Sequence, residues 1–424
     1  MSRRSKGKKE ANDGRGKRKI AAYVCTFILV VAAISYLFLT RLNQQTPPEA
    51  LALNKSVTLD GGAGGDDWAV GLVFDDAAHV LYVTGFITVP GEGADVWLAK
   101  YDDSLNQMSN VTYSGPAHGD DMGYTICLGE DGYLYIVGYV VNPSSGRDIW
   151  IAKYHTNLTL VSNVTVDGSM HQTDDGYGVA FDNDGNLLVA GTVTDIGEGY
   201  NIFIGKYDTN LNQIENITLD GPSHMTDKAR FFEIDSDGYI YISGSMSQVG
   251  SNYDIWLAKL DGDLNILEQR TIAGPTTGED KGYGLALAND GTLFAVGAMT
   301  NEGEGLDIWL AAFDTSLELL RNVTISGPGS GEDAAYSLFL EGDGDLVLTG
   351  IYTELDGGPN ILVAKFKPDF THTQNMTFDG AGGGYDSGFA IIQTSGLGVY
   401  VSGSTASVTT GMDMWLASFE YPTV

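Results

Sequence analysis

Asp148-Ile-Trp-Ile-Ala-Lys-Tyr154, Asp254-Ile-Trp-Leu-Ala258 and Asp413-Met-Trp-Leu-Ala-Ser-Phe419 are one stretch of sequence written three times. Its bulky centre recurs at Trp97, Trp150, Phe203, Trp256, Trp309, Leu362 and Trp415, each 53 residues after the last. Two further sets keep the same step: Gly85, Gly138, Gly191, Gly244, Gly297, Gly350 and Gly403, and Asp121, Asp174, Asp227, Asp280, Asp333 and Asp386. A fixed period of this length marks a repeat architecture, in which one supersecondary unit cannot bury its apolar face alone and stacks on its neighbours.

Each unit reads as four strands. Asn163-Val-Thr-Val-Asp-Gly168 is followed by Gly176-Tyr-Gly-Val-Ala-Phe181, Leu187-Leu-Val-Ala-Gly191 and Asn201-Ile-Phe-Ile-Gly-Lys-Tyr207. These are Val, Ile, Thr and aromatic runs bounded by Gly, Asn and Asp. The last two carry apolar residues on both alternating faces, so both faces need cover, and blades packed face to face around an axis supply it. The chain stops soon after the fourth strand of the last copy, while Ser56-Val-Thr-Leu-Asp60 precedes the first complete unit without a partner. Closing one against the other removes a bare edge. The expected fold is all-β: a seven-bladed β-propeller with four-stranded blades, in which the N-terminal strand completes the last blade.

Upstream, residues 1–19 hold nine Lys or Arg against Glu10 and Asp13, and an uncharged apolar run follows from Ile20 to Thr40. That run is long enough to cross a bilayer as a helix, and its Leu37-Phe38-Leu39-Thr40-Arg41 ending is unlike a signal-peptidase site. The expected organisation is a basic cytoplasmic tail (1–19), a transmembrane signal anchor (20–40), a linker (41–54) and an extracytoplasmic propeller (55–424). The positive-inside rule sets that orientation.

Beyond Arg41, 13 Lys or Arg face 53 Asp or Glu, a net charge of about −40. Nucleic acid and acidic polymers are therefore poor partners, and the charge suits cations or basic ligands, or a salty habitat. Cys25 falls in the anchor and Cys127 stands alone outside it, so no disulfide forms within the ectodomain.

Gly119-Asp-Asp-Met-Gly-Tyr-Thr-Ile126, Asp235-Ser-Asp-Gly-Tyr-Ile-Tyr-Ile-Ser-Gly244 and Asp148-Ile-Trp-Ile-Ala-Lys-Tyr154 resemble the repeat family called SBBP, over about Lys55 to Tyr421. The resemblance implies an extracytoplasmic seven-bladed propeller and no shared activity. One unit departs from the pattern, with Arg230-Phe-Phe where others read Tyr-x-Ile or Tyr-x-Leu; another has Leu362 for Trp.

An Asp opens the inner strand of every unit: Asp67, Asp121, Asp174, Asp227, Asp280, Asp333 and Asp386. These carboxylates either cap their own loops, as Asx turns do, or form a ligand or divalent-cation ring at one mouth of the channel. Asp95, Asp148, Asn201, Asp254, Asp307, Asn360 and Asp413 open the fourth strands on the same face and carry the same two readings. Lys228, Arg230 and Lys281 break the acidic pattern on adjacent blades; they either pair with nearby Asp or orient an anionic ligand. His118, His171 and His224 also keep the 53 step and are metal candidates if their loops converge. Sequons at Asn54, Asn110, Asn157, Asn163, Asn216, Asn322 and Asn375 are candidate glycosylation sites, five of them at one place near the start of the outer strand.

No Ser-His-Asp arrangement, nucleophile elbow, HExxH or phosphate loop is present, and no cofactor is required. The pattern points away from catalysis and toward a membrane-anchored binding or scaffold module whose Asp-lined face is directed away from the membrane, toward an extracellular protein or glycan. The alternatives are a glycan-active hydrolase or lyase on the acidic face and a cation-dependent structural element of the cell envelope.

Overall fold

The computed structural model describes residues 50–195, 199–250, 252–303, 305–355, 358–396 and 398–421. The basic tail, the apolar run and residues 41–49 of the expected linker lie outside the described residues. Strand β1 (Ala52–Leu59) comes first, beginning within the stretch expected to be linker. The repeat then starts with β2 (Trp68–Asp75), β3 (Val80–Val89), β4 (Gly93–Asp102) and β5 (Gln107–Tyr113). It continues as β6 (Met122–Leu128), β7 (Tyr133–Asn142), β8 (Gly146–His155) and β9 (Leu160–Val166), then β10 (Asp175–Phe181), β11 (Leu187–Thr194), β12 (Tyr200–Tyr207) and β13 (Gln213–Leu219). Three more units follow. They are β14 (Lys228–Ile234) to β17 (Ile266–Ile272) through β15 (Ile240–Ser247) and β16 (Tyr253–Leu260); β18 (Lys281–Leu287) to β21 (Leu319–Ile325) through β19 (Leu293–Asn301) and β20 (Gly305–Phe313); and β22 (Ala334–Leu340) to β25 (His372–Phe378) through β23 (Leu346–Thr353) and β24 (Pro359–Phe366). The last three strands are β26 (Ser387–Gln393), β27 (Val399–Ala406) and β28 (Met412–Glu420).

Seven antiparallel four-stranded sheets result, and the described residues contain no helix. In the last sheet the order is β1-β28-β27-β26. Antiparallel pairing from Ala52↔Glu420 to Leu59↔Met414 gives it the same four strands as the others, so the ring closes as the unpartnered Val-Thr strand requires.

Packing between sheets explains the doubly apolar strands. Strands β11 and β15 are buried at every position, and one core cluster joins Leu188 and Ile204 of one blade to Ile242 and Trp256 of the next. Each such fully buried large side chain contributes about 1.5–3 kcal/mol. The outer strands alternate exposed and half-buried residues, as a sheet with one wet face does.

Every inner strand carries a β-bulge near its start, as between Ala69 and Gly71 or between Ala229 and Phe231. The recurring Gly lies on the strand second from the axis and faces that bulge. A Cβ on Gly85 would lie 1.8 Å from the Trp68 carbonyl oxygen, and one on Gly244 would lie 1.9 Å from that of Lys228. Only hydrogen fits there, which is why this residue keeps the 53 step.

Candidate functional site

The seven Asp residues that open the inner strands are turned into the blade body and not toward a mouth. Asp67, Asp121, Asp174, Asp227, Asp280 and Asp386 have no exposed surface, and Asp333 has 1 %. In Asp174, Oδ2 accepts the Gly168 N–H at 2.5 Å and Oδ1 accepts the Thr194 N–H at 2.6 Å. Its own N–H donates to the Arg147 carbonyl of the preceding blade at 2.8 Å. One residue thus ties the preceding blade's outer strand, its own second strand and the preceding blade's third strand. The closing seam has the same clasp, with Asp67 N–H donating to the Met412 carbonyl at 2.6 Å. Burial pushes Asp121 and Asp174 up to about 6, against two backbone N–H donors that favour the ionised form.

At the starts of the strands fourth in sequence order and third from the axis, Asp148 and Asp413 also accept hydrogen bonds from their own loops. Asp148 Oδ2 accepts from Asn142 Nδ2 at 2.5 Å and Ser145 Oγ at 2.8 Å, and Asp413 accepts from Thr410 Oγ1 at 2.8 Å. The Asp residues next to the clasps have partners of their own. Asp120 caps the Ala94 N–H at 3.0 Å, while Asp175 meets the Arg147 guanidinium at 3.4 Å.

His118, His171 and His224 do not converge. Each lies exposed in its own blade connection at φ of 51–53° and bonds the residue four before it: Ser114 Oγ at 3.3 Å, Asp167 Oδ2 at 2.5 Å, and Asp220. No group of three ligating side chains among the described residues contains a histidine. Three acidic groups could hold a cation: Asp60-Asp67-Asp413, Asp148-Asp167-Asp174 and Glu341-Asp343-Asp345. In the first two, Asp67 and Asp174 are clasps whose oxygens already accept backbone N–H bonds. In the third, Lys365 and Lys367 pair with Glu341 and Asp345.

What does face the axis is the residue three after each Asp: Val70, Tyr124, Tyr177, Arg230, Tyr283, Tyr336 and Phe389. The bulge lets this position project inward. Together with Trp68 and Phe231 these side chains wall a cavity of about 820 Å³. Their rings touch around the circle: Tyr124 and Tyr177 are 5.1 Å apart, Tyr283 and Tyr336 4.9 Å, and Trp68 and Phe389 5.3 Å. Such offsets suit the ring quadrupoles. The sequence signal was present, since the unit reading Arg230-Phe-Phe against Tyr-x-Ile marks this very position.

Lys228, Arg230 and Lys281 come together at the Asp end of the cavity, around a side pocket of about 170 Å³ that also includes Tyr283 and Glu279. Lys281 pairs with Glu279 at 2.6 Å. Arg230 lies over the Tyr177 ring at 4.7 Å and the Tyr283 ring at 4.9 Å. Burial, then the neighbouring Arg230, Lys281 and Arg147, lower Lys228 to about 8 although Asp175 opposes them. Burial holds Tyr124, Tyr177 and Tyr336 above the usual phenol range, and the Tyr177 hydroxyl donates to Asp175 Oδ2 at 3.1 Å while accepting from Lys228 Nζ at 3.3 Å. The Cys127 thiol is likewise pushed up by burial, which disfavours the reactive thiolate. Glu233 is raised to about 7 by burial, but its side chain is not among those lining the cavity.

All seven sequon asparagines are exposed. Asn110, Asn163, Asn216, Asn322 and Asn375 sit fourth in their outer strands, not at the start, because each of those strands begins three residues before its Asn.

No model of a known protein family and no curated protein matches the chain in sequence. Among solved structures, one of polysaccharide lyase Uly1 superposes with a TM-score of 0.51 at 10% identity, over 88% of this chain and 100% of that one. Another, of a putative gluconolactonase, gives a TM-score of 0.40 at 11% identity, over 87% of this chain and 98% of that one. The first likeness shows the propeller fold alone; the second carries no argument.

Proposed function

We propose that this protein is a membrane-anchored, extracytoplasmic binding module that takes its ligand in the central channel from the Asp-clasp face. The observation that carries this reading is the cavity of about 820 Å³, walled by aromatic side chains with a few polar groups converging at one end. Concave, largely apolar sites with a few placed polar groups are what small-molecule and glycan recognition uses.

Binding accounts for the site better than catalysis does. The ring phenols are held protonated, the acidic residues of the clasps are occupied by backbone N–H groups, and Asp175 is paired with Arg147. Strand β1 enters the propeller at the end opposite the clasps, in keeping with a ligand face directed away from the membrane. The anchor itself rests on the basic tail and the uncharged run from Ile20 to Thr40. A structural neighbour of the same fold is a polysaccharide lyase, which makes saccharides the first class to probe.

The test is capture on a glycan and protein array by residues 50–424, beside the variant Val70→Trp, which adds a bulky ring to the channel wall and narrows the channel. Capture that Val70→Trp removes supports the reading. Capture that survives it unchanged rejects the channel as the site.

A further inference from the structure

The channel carries one charge arrangement that the rest of the molecule does not explain. Around the circle, the position three after the clasp is apolar or aromatic in six copies and arginine in one. The position just after the clasp is Lys228 and Lys281 in two adjoining copies. In a chain of net charge −32, cations in the core channel should be found against carboxylates, and two nearby ones are: Arg147 with Asp175 at 3.4 Å and Lys281 with Glu279 at 2.6 Å. Lys228 and Arg230 are different. Among the described residues neither has a carboxylate within ion-pair distance; the Lys228 ammonium reaches only the Tyr177 hydroxyl at 3.3 Å.

Geometry then narrows what could satisfy Arg230. The rings of Tyr177 and Tyr283 lie 4.7 and 4.9 Å from its guanidinium carbon, a cation–π contact on two sides that leaves the charge without a counter-anion. Among the described residues, its Nε is buried with no acceptor. A buried donor left without a partner is costly, and it marks a place where an acceptor belongs. A guanidinium edge matches a planar carboxylate, which accepts two parallel N–H bonds. Arg230 and Tyr283 wall both cavities: the polar side pocket of about 170 Å³ and the aromatic channel of about 820 Å³. A ligand at that junction would place an anionic group in the first and a ring body in the second.

We propose that this junction binds the carboxylate of an acidic sugar, with Arg230 and Lys228 holding the anion and Tyr177 and Tyr283 packing against the sugar ring. The inference rests on the channel-binding reading above and names its ligand class. The strongly acidic surface repels long polyanions, so the site suits the end of a short chain.

The experiment is a titration of the full chain in detergent with trigalacturonate, its methyl ester and a sulfated trisaccharide, read by calorimetry. The wild type should bind the acid roughly ten- to a hundredfold more tightly than the ester, the range that charge-assisted hydrogen bonds give. Arg230→Tyr, which restores the residue found at this position in four other copies, should erase that preference, and Arg230→Lys should keep part of it. Equal binding of acid and ester, no binding of either, preference for the sulfated sugar, or a preference that Arg230→Tyr leaves intact would each overturn the assignment. Uncharged ligands captured on the array and lost in Val70→Trp would overturn the acidic class while leaving the channel reading in place. Acid binding that Arg230→Tyr abolishes and Val70→Trp does not disturb would keep the carboxylate site and remove the channel from it.

Discussion

Leu211 sits at φ 65° and is only 3 % exposed, and Leu105, Leu158, Leu264 and Leu317 repeat it at the same place in other blades. A left-handed backbone is unfavourable for a branched apolar residue. Two things hold it here. The turn is closed by the Leu211 N–H to the Asp208 carbonyl at 2.9 Å, with Asp208 Oδ1 accepting from Asn210 and Asn212; and the leucine side chain is packed into the blade core. Burial of the side chain offsets the cost of the backbone. The glycine facing the inner-strand bulge is a sterner case, because nothing can offset a Cβ 1.9 Å from a carbonyl oxygen. Gly244→Ala should therefore cost about 2–3 kcal/mol or more, near the top of the range for overpacking. A urea titration reads this directly, and an unchanged midpoint would mean that the bulge carbonyl moves aside freely.

At the scale of the element, β1 and the clasps do the joining. Strand β1 belongs to the last sheet though it lies first in sequence, and its pairing with β28 covers what would otherwise be an exposed edge. Deleting residues 1–60 should leave the core of six blades intact while exposing the β28 edge, so the product should associate or aggregate where residues 50–424 stay dispersed. Light scattering distinguishes them; a monomeric deletion of native stability would show that the edge is protected by other means. Lys228 is an element-scale case too, since its position on β14 places it beside β10 and β18, and only that adjacency gathers Tyr177, Arg230, Lys281 and Tyr283.

The whole molecule is governed by its charge. All seven clasp carboxyls have pKa values raised by burial, two of them to about 6 from 3.8. Between the unfolded and folded values the folded protein holds more protons than the unfolded chain, so stability falls as pH rises through that window. Repulsion within a strongly acidic body acts in the same direction. Hairpin carboxyls such as Asp182, lowered chiefly by Lys206 against the penalty of burial, act oppositely, but their window lies below pH 4. The propeller should thus melt at a higher temperature at pH 5 than at pH 7.5. Calorimetry at both values in constant salt tests this, and the reverse order would mean that the backbone donors hold the clasps ionised throughout.

Much of this was legible in the chain itself. The 53-residue step, strands apolar on both faces and the orphan strand near Ser56 dictate blade number, blade packing and the closing pair, because period and hydrophobic pattern are local properties that every copy repeats. The unit that reads Arg230 for Tyr was visible for the same reason: a repeat exposes its own exceptions. Which way a side chain points was not. The bulge turns the Asp of each inner strand into the blade and the residue three further on toward the axis, and the histidines that keep the same step remain apart in separate loops. Sequence specifies the unit and its count, whereas only the closed ring decides which residues from different units meet, since convergence on an axis depends on contacts made hundreds of residues apart.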